Sequence, residues 1–301
     1  MAAPAPVQDA LRFGTVGGPA TAPVSGTPAA IAYSRQLGLD HLEIAWTQSV
    51  RVGDEMCAAI KAAKEANNLT LSVHAPYFIN LNSQTAELME KSDARLLAAA
   101  RRGALAGATD IIFHPGSYHS QPPEIVYERA RQKMIEITGI LREEGVVVNL
   151  RPETMGKGAM FGNLEEVLEL SRDVQGVLPC IDWAHLHARR GDGSFNSYEE
   201  FADALTTVRN ILGEEGLKTL HFHLSGITYT AKGEKAHVPL NEADIKYREL
   251  LQAFLDFGVA GTAGVEAPLP FHVADALTMQ ATYRRLRDKD APQETEPGED
   301  E

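Results

Sequence analysis

The run Pro179-Cys180-Ile181-Asp182-Trp183-Ala184-His185 carries apolar residues of strand length into Asp-x-x-His. A carboxylate and an imidazole leaving a strand end together make a poor core and a good pair of metal ligands. The apolar runs before His74, His114, Glu153, His223 and Glu266 also end in a ligand-type residue. One such strand end is ordinary, whereas six point to a shared centre. A metal ion takes three or four protein ligands. His185 and the loop Gly233-Glu234-Lys235-Ala236-His237 bring the supply to at least eight, enough for three ions if one carboxylate bridges.

Around these residues the sequence is graded. In Ser72-Val73-His74-Ala75-Pro76-Tyr77, His74 ends a strand and a loop with an aromatic follows; Phe113-His114-Pro115-Gly116 repeats the pattern one unit later. Glu153, after Val146-Val147-Val148, would be costly inside a barrel unless paired or metal-bound. Period two puts His221 and His223 on one inward face at different depths. The outer one, His223, is the expected ligand, and His221 is expected to be a satisfied inner residue. His119 is expected at the surface, and His187 beside the centre or in solvent. No G-x-S-x-G elbow, P-loop or G-x-G-x-x-G following a strand occurs, so serine-nucleophile and nucleotide-fold chemistry have no support.

The elements that must position these residues alternate. Strand patterns at Leu11–Val16, His41–Trp46, Leu69–His74, Asp110–His114, Val146–Glu153, Leu178–Asp182, Leu220–His223 and Thr262–Glu266 are separated by helical stretches. Those stretches include one from Thr27 to Gly38, Asp54–Asn67, Thr85–Leu105, Glu124–Leu141 and Tyr198–Leu212. Gly38, Gly107, Gly145, Gly176, Gly216 and Gly258, with Asn67-Asn68, stand where helix C-caps favour positive φ. Eight such units predict a single (β/α)8 TIM barrel over residues 11–287. An open doubly wound sheet is the alternative, but it would gather the ligands at one switch point.

The 301 residues, 44% hydrophobic, suffice for one such domain. Residues 1–10 read as a flexible leader without a signal peptide. Residues 288–301 hold seven acids and one base, Lys289, and read as an acidic disordered tail carrying −6 of the net −13. The remainder, with several acids available to cations, neither supports nor excludes DNA. No apolar run reaches membrane-spanning length. Cys57 and Cys180, far apart, predict buried free thiols and a cytoplasmic protein.

Taken together, His-Ala-Pro-Tyr at 74–77, His-Pro-Gly at 114–116, Phe161-Gly162-Asn163-Leu164, the Asp182/His185 run, and Ser-Gly-Ile followed by Gly-Glu-x-x-His resemble the endonuclease IV family. These are metal-dependent apurinic/apyrimidinic endonucleases of the xylose-isomerase-like TIM barrels. The likeness covers roughly Leu11 to Leu286. It implies two to three zinc ions, with manganese as an alternative. His74, His114 and Glu153 would hold the first ion. Glu153, Asp182, His223 and Glu266 would hold the second, and His185 and His237 the third. It places Glu153 and Glu266 at the catalytic centre, and Tyr77 and Arg51 against double-stranded DNA containing abasic sites. Lys235 stands where better-known members carry an Asp, so Glu234 is expected to complete the third site. Ser225-Gly226 and Gly14-Thr15-Val16 also depart from the family pattern.

The implied reaction is hydrolysis of the phosphodiester 5′ to an abasic site by a monomeric enzyme. Two rivals share the barrel. A sugar isomerase or epimerase would use Glu153, Asp182, His223 and Glu266 around one ion. A non-catalytic damage-binding relative would keep only the pocket. The extra imidazoles His74, His114, His185 and His237 exceed what one sugar-binding ion needs and favour zinc.

Overall fold

Short apolar runs, most of them preceded by a glycine that ends the helix before, become parallel strands, and the amphipathic stretches between them become helices. The computed structural model describes residues 11–290. The strands are β1 (Leu11–Val16), β2 (His41–Ala45), β3 (Thr70–His74), β4 (Asp110–Phe113), β5 (Asn149–Pro152), β6 (Cys180–Asp182), β7 (Leu220–Leu224), β8 (Gly226–Thr230), β9 (Gly233–Val238) and β10 (Gly261–Val265). Eight of them pair in the order β5-β4-β3-β2-β1-β10-β7-β6, all parallel. Parallel bridges Leu150↔Val177 and Glu153↔Cys180 join β5 to β6 and close the ring. The expected TIM barrel is therefore the observed architecture.

The helices are α1 (Thr27–Gln36), α2 (Asp54–Ala66), α3 (Ala86–Leu105), α4 (Pro123–Glu143), α5 (Leu164–Asp173), α6 (Trp183–Arg189), α7 (Tyr198–Lys218), α8 (Tyr247–Asp256) and α9 (His272–Asp290). Side-chain caps mark several starts: Thr85 accepts from Leu88 N, Ser197 from Glu200 N, and Asn163 forms a reciprocal capping box with Glu166. The expected terminal glycines adopt positive φ at 38, 107, 145, 176 and 258. Gly216 does not: the break in α7 comes at Gly213, with φ 76°, and Gly216 lies within the merged helix. The apolar face of this outer layer packs on the barrel, where Trp183 contacts Phe201, Phe222 and Phe254 with ring centroids 5.6–6.2 Å apart.

Three boundaries differ from expectation. The strand expected from Val146 begins at Asn149, and Val147 is exposed. Helix α9 runs to Asp290, so 288–290, the first residues of the expected tail, are helical; 1–10 and 291–301 lie outside the described residues. Residues 226–238, expected as loop beyond the seventh strand, form the antiparallel hairpin β8–β9. Cys57 and Cys180 are buried free thiols, as expected. Among the described residues no helix is long and apolar enough to cross a membrane.

Candidate metal centre

Inward-facing strand ends converge at the C-terminal mouth of the barrel, where sites in this fold lie. His74 closes β3, His114 follows β4 and Glu153 follows β5. The Nε2 atoms of His74 and His114 lie 3.3 and 3.4 Å from Glu153 Oε2. These spacings are long for charge-assisted hydrogen bonds, which run near 2.7–2.9 Å. They match the edge of a coordination tetrahedron, since two atoms each about 2.1 Å from one zinc stand about 3.4 Å apart.

The other oxygen of Glu153 faces a second group. Oε1 is 3.3 Å from His223 Nδ1, which is 3.5 Å from Glu266 Oε1 and 4.0 Å from Asp182 Oδ2. Glu153, Asp182, His223 and Glu266 each offer an atom within 4.8 Å of the others, as do His74, His114 and Glu153. The sequence expectation grouped these residues in the same way.

A third group is built by a strand that runs straight into a helix. Asp182 ends β6 and caps α6, accepting from His185 N at 2.7 Å. That turn brings Asp182 and His185 to one corner, with His185 Nδ1 3.4 Å from Asp182 Oδ2. Asp182, His185 and His237 again lie within 4.8 Å of one another. Glu234 Oε2 stands 3.7 Å from His185 Nε2. Glu234 and His237 are three apart, and an unbroken strand would turn them to opposite faces. The hairpin register pairs Thr228 with Ala236 and Tyr229 with Glu234, so Lys235 is the extra residue of a β-bulge. The bulge turns Glu234 and His237 to the same side and leaves Lys235 exposed. Gly156 makes room: a Cβ there would come within 2.7 Å of Glu234 Cβ and 2.9 Å of His185 Cδ2.

Each orienting hydrogen bond leaves the other ring nitrogen for the centre. His74 Nδ1 is 2.8 Å from the Ala75 carbonyl and His185 Nδ1 2.9 Å from that of Thr154, so both donate there and direct Nε2 inward. For His223 the partner is Glu43, on β2, a residue absent from the sequence expectation. Fully buried Glu43 accepts from His223 Nε2 (3.0 Å), His221 Nε2 (2.9 Å) and Ser72 Oγ (2.6 Å). His221 Nδ1 meets Thr262 Oγ1 at 2.7 Å, so His221 is the satisfied inner residue expected. A carboxylate behind a histidine fixes its tautomer and raises its basicity as a ligand. The signal for Glu43 was the same period-two spacing that picked out His221 and His223: His41-x-Glu43 on a strand buried on both faces.

The electrostatics fit divalent cations. Burial, with Glu153 and Glu266 nearby, pushes Asp182 up to about 7. Burial also opposes ionisation of Glu153, yet His223 and His114 hold it well below the usual carboxylate range. Against the pull of burial, Asp182 and Glu153 lift His185 well above ordinary imidazole, and Glu153 lifts His74. With only protons available, the positive charge that balances these carboxylates has to be carried by the imidazoles. Among the described residues, Glu153 Oε1, Asp182 Oδ2, His223 Nδ1 and His237 Nδ1 are buried without a hydrogen-bond partner. Buried polar atoms are rarely left so, and such donors suit zinc or a similar ion.

A cleft of about 430 Å³ opens over the three groups, lined by His114, His185, Glu234, His237, Glu266 and Tyr77. Tyr77 stacks on His114 at 4.9 Å and meets His74 edge-on at 5.2 Å, and the residue remains 46% exposed at the rim of the cleft. Tyr77 N donates to Thr47 O, tying this loop to the β2–α2 loop that carries exposed Arg51. Arg51 has no ion-pair partner among the described residues. His119 is exposed, as expected, while His187 is fully buried beside the hairpin.

Comparison with known proteins follows the same lines. The family model described as xylose isomerase-like TIM barrel matches residues 31–287. An uncharacterized protein of Methanocaldococcus jannaschii is 36% identical over 92% of this chain and 98% of its own length. A probable endonuclease 4 of Staphylococcus carnosus is 30% identical over 172 residues, 54% of this chain and 55% of that protein. The chain thus spans about half the length of that endonuclease. Among solved structures, endonuclease IV from Thermus thermophilus superposes with a TM-score of 0.69 at 24% identity, covering 92% of this chain and 99% of that one. A D-tagatose 3-epimerase-like protein also reaches 0.69, at 17% identity, covering 92% and 97%. At these identities the superpositions speak for the fold.

Proposed function

Since the chain belongs to the AP endonuclease 2 family of xylose isomerase-like TIM barrels, we propose that it is a metal-dependent endonuclease hydrolysing the phosphodiester 5′ to an abasic site in double-stranded DNA. The observation that carries this reading is the sharing of Glu153 and Asp182 among three adjoining ligand groups. One sugar-binding ion needs a single group, whereas a phosphodiester displacement benefits from charge on both the attacking and leaving oxygens.

His74, His114 and Glu153 would hold one ion, Glu153, Asp182, His223 and Glu266 a second, and His185, His237, Asp182 and Glu234 a third. Zinc suits the imidazoles, with manganese as an alternative. Such ions, when bound, supply Lewis acidity toward phosphoryl oxygens and acidify water. The chain's own part is positional. Glu153 directs one oxygen into each of two groups, and buried Glu43 fixes the ring of His223. Within its group only Glu266 keeps side-chain surface in the cleft, 13%, so it is the residue proposed to orient the attacking water. Tyr77 offers its ring for stacking or wedging at the lesion, and Arg51 a cation for the backbone. An abasic nucleotide has no base to unstack, so extrusion toward the cleft costs less than for an intact one.

The test is a labelled duplex with one abasic analogue, incubated with protein loaded with zinc or manganese. Incision leaving a 3′-hydroxyl is expected. Interconversion of a ketose and an aldose without incision would assign the chain to the sugar-isomerase reading instead. Lesion binding without cutting would leave a damage-binding protein.

A further inference from the structure

The hairpin β8–β9 is the one part of the centre not built on a barrel strand or the turn after it, and it holds two residues of the third group. In an antiparallel pair, directly opposed residues share a face. Ile227 opposes His237 and Tyr229 opposes Glu234, and residues two apart on β8 face the same way. Ile227, Tyr229, Glu234 and His237 therefore lie on one side of the hairpin. Ile227 packs with Ala184 and Ala188 of α6, and Tyr229 packs against that cluster. The same side that grips α6 thus also offers groups to His185, which α6 carries.

The grip has a polar end. Tyr229 Oη donates to Asp244 Oδ2 at 2.8 Å. The other oxygen, Asp244 Oδ1, lies 3.0 Å from Nε2 of His187, whose Nδ1 is 2.8 Å from the Ser194 carbonyl. The rings of His187 and Tyr229 meet edge-on at 4.9 Å. On its far side the hairpin is held by Glu234 N donating to Gly156 O at 2.8 Å.

We infer that Tyr229 and Asp244, acting through His187, are positioning residues for the third ligand group. The chain Tyr229–Asp244–His187 sets how far the hairpin stands from α6, and with it how far Glu234 and His237 stand from His185. The first two groups, carried by barrel strands and the turns after them, do not depend on this contact. The inference rests on the three-ion centre proposed above.

The test counts ions rather than turnover. Wild-type protein, Tyr229→Phe, Asp244→Ala and the double variant are loaded with zinc, dialysed against graded chelator and analysed for metal per chain. The third ion should be lost at about 10–100-fold lower chelator concentration in each variant, with the first two retained as in wild type. The double variant should be no worse than Asp244→Ala, because both changes cut one chain. Tyr198→Phe, which removes a hydroxyl bonded to Asp256 elsewhere on the surface, should behave as wild type. Equal retention of the third ion in all variants would overturn the inference and leave the proposed reaction standing. Parallel loss of all ions would also overturn it, by showing a general structural role. A wild-type chain that never takes a third ion would overturn the three-ion centre and this inference together.

Discussion

Glu153 and His223 face each other across 3.3 Å through Oε1 and Nδ1, and neither atom has a hydrogen-bond partner among the described residues. The other oxygen of Glu153 and the other nitrogen of His223 are both engaged, toward His74 and toward Glu43. Both atoms thus point at the same place, close to His185 Nδ1, which lies 3.1 Å from Glu153 Oε1; Glu43 braces His223 from behind, while the second oxygen of Glu153 serves the first group.

Glu153→Ala should remove two ions together, because its two oxygens serve two groups. Elemental analysis after dialysis should fall from three ions per chain to one. Incision of the abasic duplex should be abolished. Loss of a single ion would show that Glu153 does not bridge.

Glu43→Gln should loosen the second ion without touching any proposed ligand. The amide keeps the shape but no longer fixes His223 with a full charge. Removing the group that braces a ligand from behind costs about 10–100-fold in metal affinity. Chelator competition read ion by ion should show the deficit confined to the group containing His223.

Tyr77→Ala should separate lesion binding from metal loading. The ring stacks on His114 but ligates nothing, so metal per chain should stay at the wild-type value. Affinity for an abasic duplex should fall by about 1–3 kcal/mol, the scale of a lost aromatic stack. Both should be measured at several salt concentrations, since phosphate contacts make affinity fall as salt rises.

Stripping the ions should lower stability as well as activity. A ligand bound only by the folded chain, present at about a thousand times its Kd, contributes about 4 kcal/mol. The melting temperature should therefore drop by several degrees in chelator and recover with zinc. Magnesium alone should not restore it, because imidazole-rich groups suit softer ions.

Gly156→Ala should act on the third group. The added methyl would fall inside the van der Waals distance of both Glu234 and His185. Displacing the hairpin should weaken the third ion and leave the others, which the same chelator titration resolves.

Much of the barrel and of the centre was legible because six of the ligand-type residues, His74, His114, Glu153, Asp182, His223 and Glu266, end apolar runs. Apolar residues then acid or imidazole is a pattern with a direct physical reading at the mouth of a barrel. Glu43 was not legible on those terms. It sits inside a strand, flanked by Leu42 and Ile44, and alternation of this kind usually means a solvent-facing side. Only the assembled barrel shows that both faces of β2 are covered. The hairpin was hidden differently, since Gly226–Val238 contains Thr, Lys and Gly in loop-like proportion. Its strands are held by pairing and by the grip on α6 rather than by a run of apolar residues. The glycine at 213 won over that at 216 because the chain turns out of the helix one turn earlier than the punctuation suggested.

The bulge at Lys235 bears on how kinship is recognised in such chains. A motif counted along the backbone treats residues as fixed ticks, and by that count a cation occupies the acid's slot. In space the extra residue is taken up as slack, and the acid before it swings to the imidazole's side. An insertion at such a point shifts the reading frame of a motif without shifting the groups it brings together. Chains that fail a spacing rule by one residue in this hairpin should therefore be compared by which side of the ribbon their acid faces, not by its column.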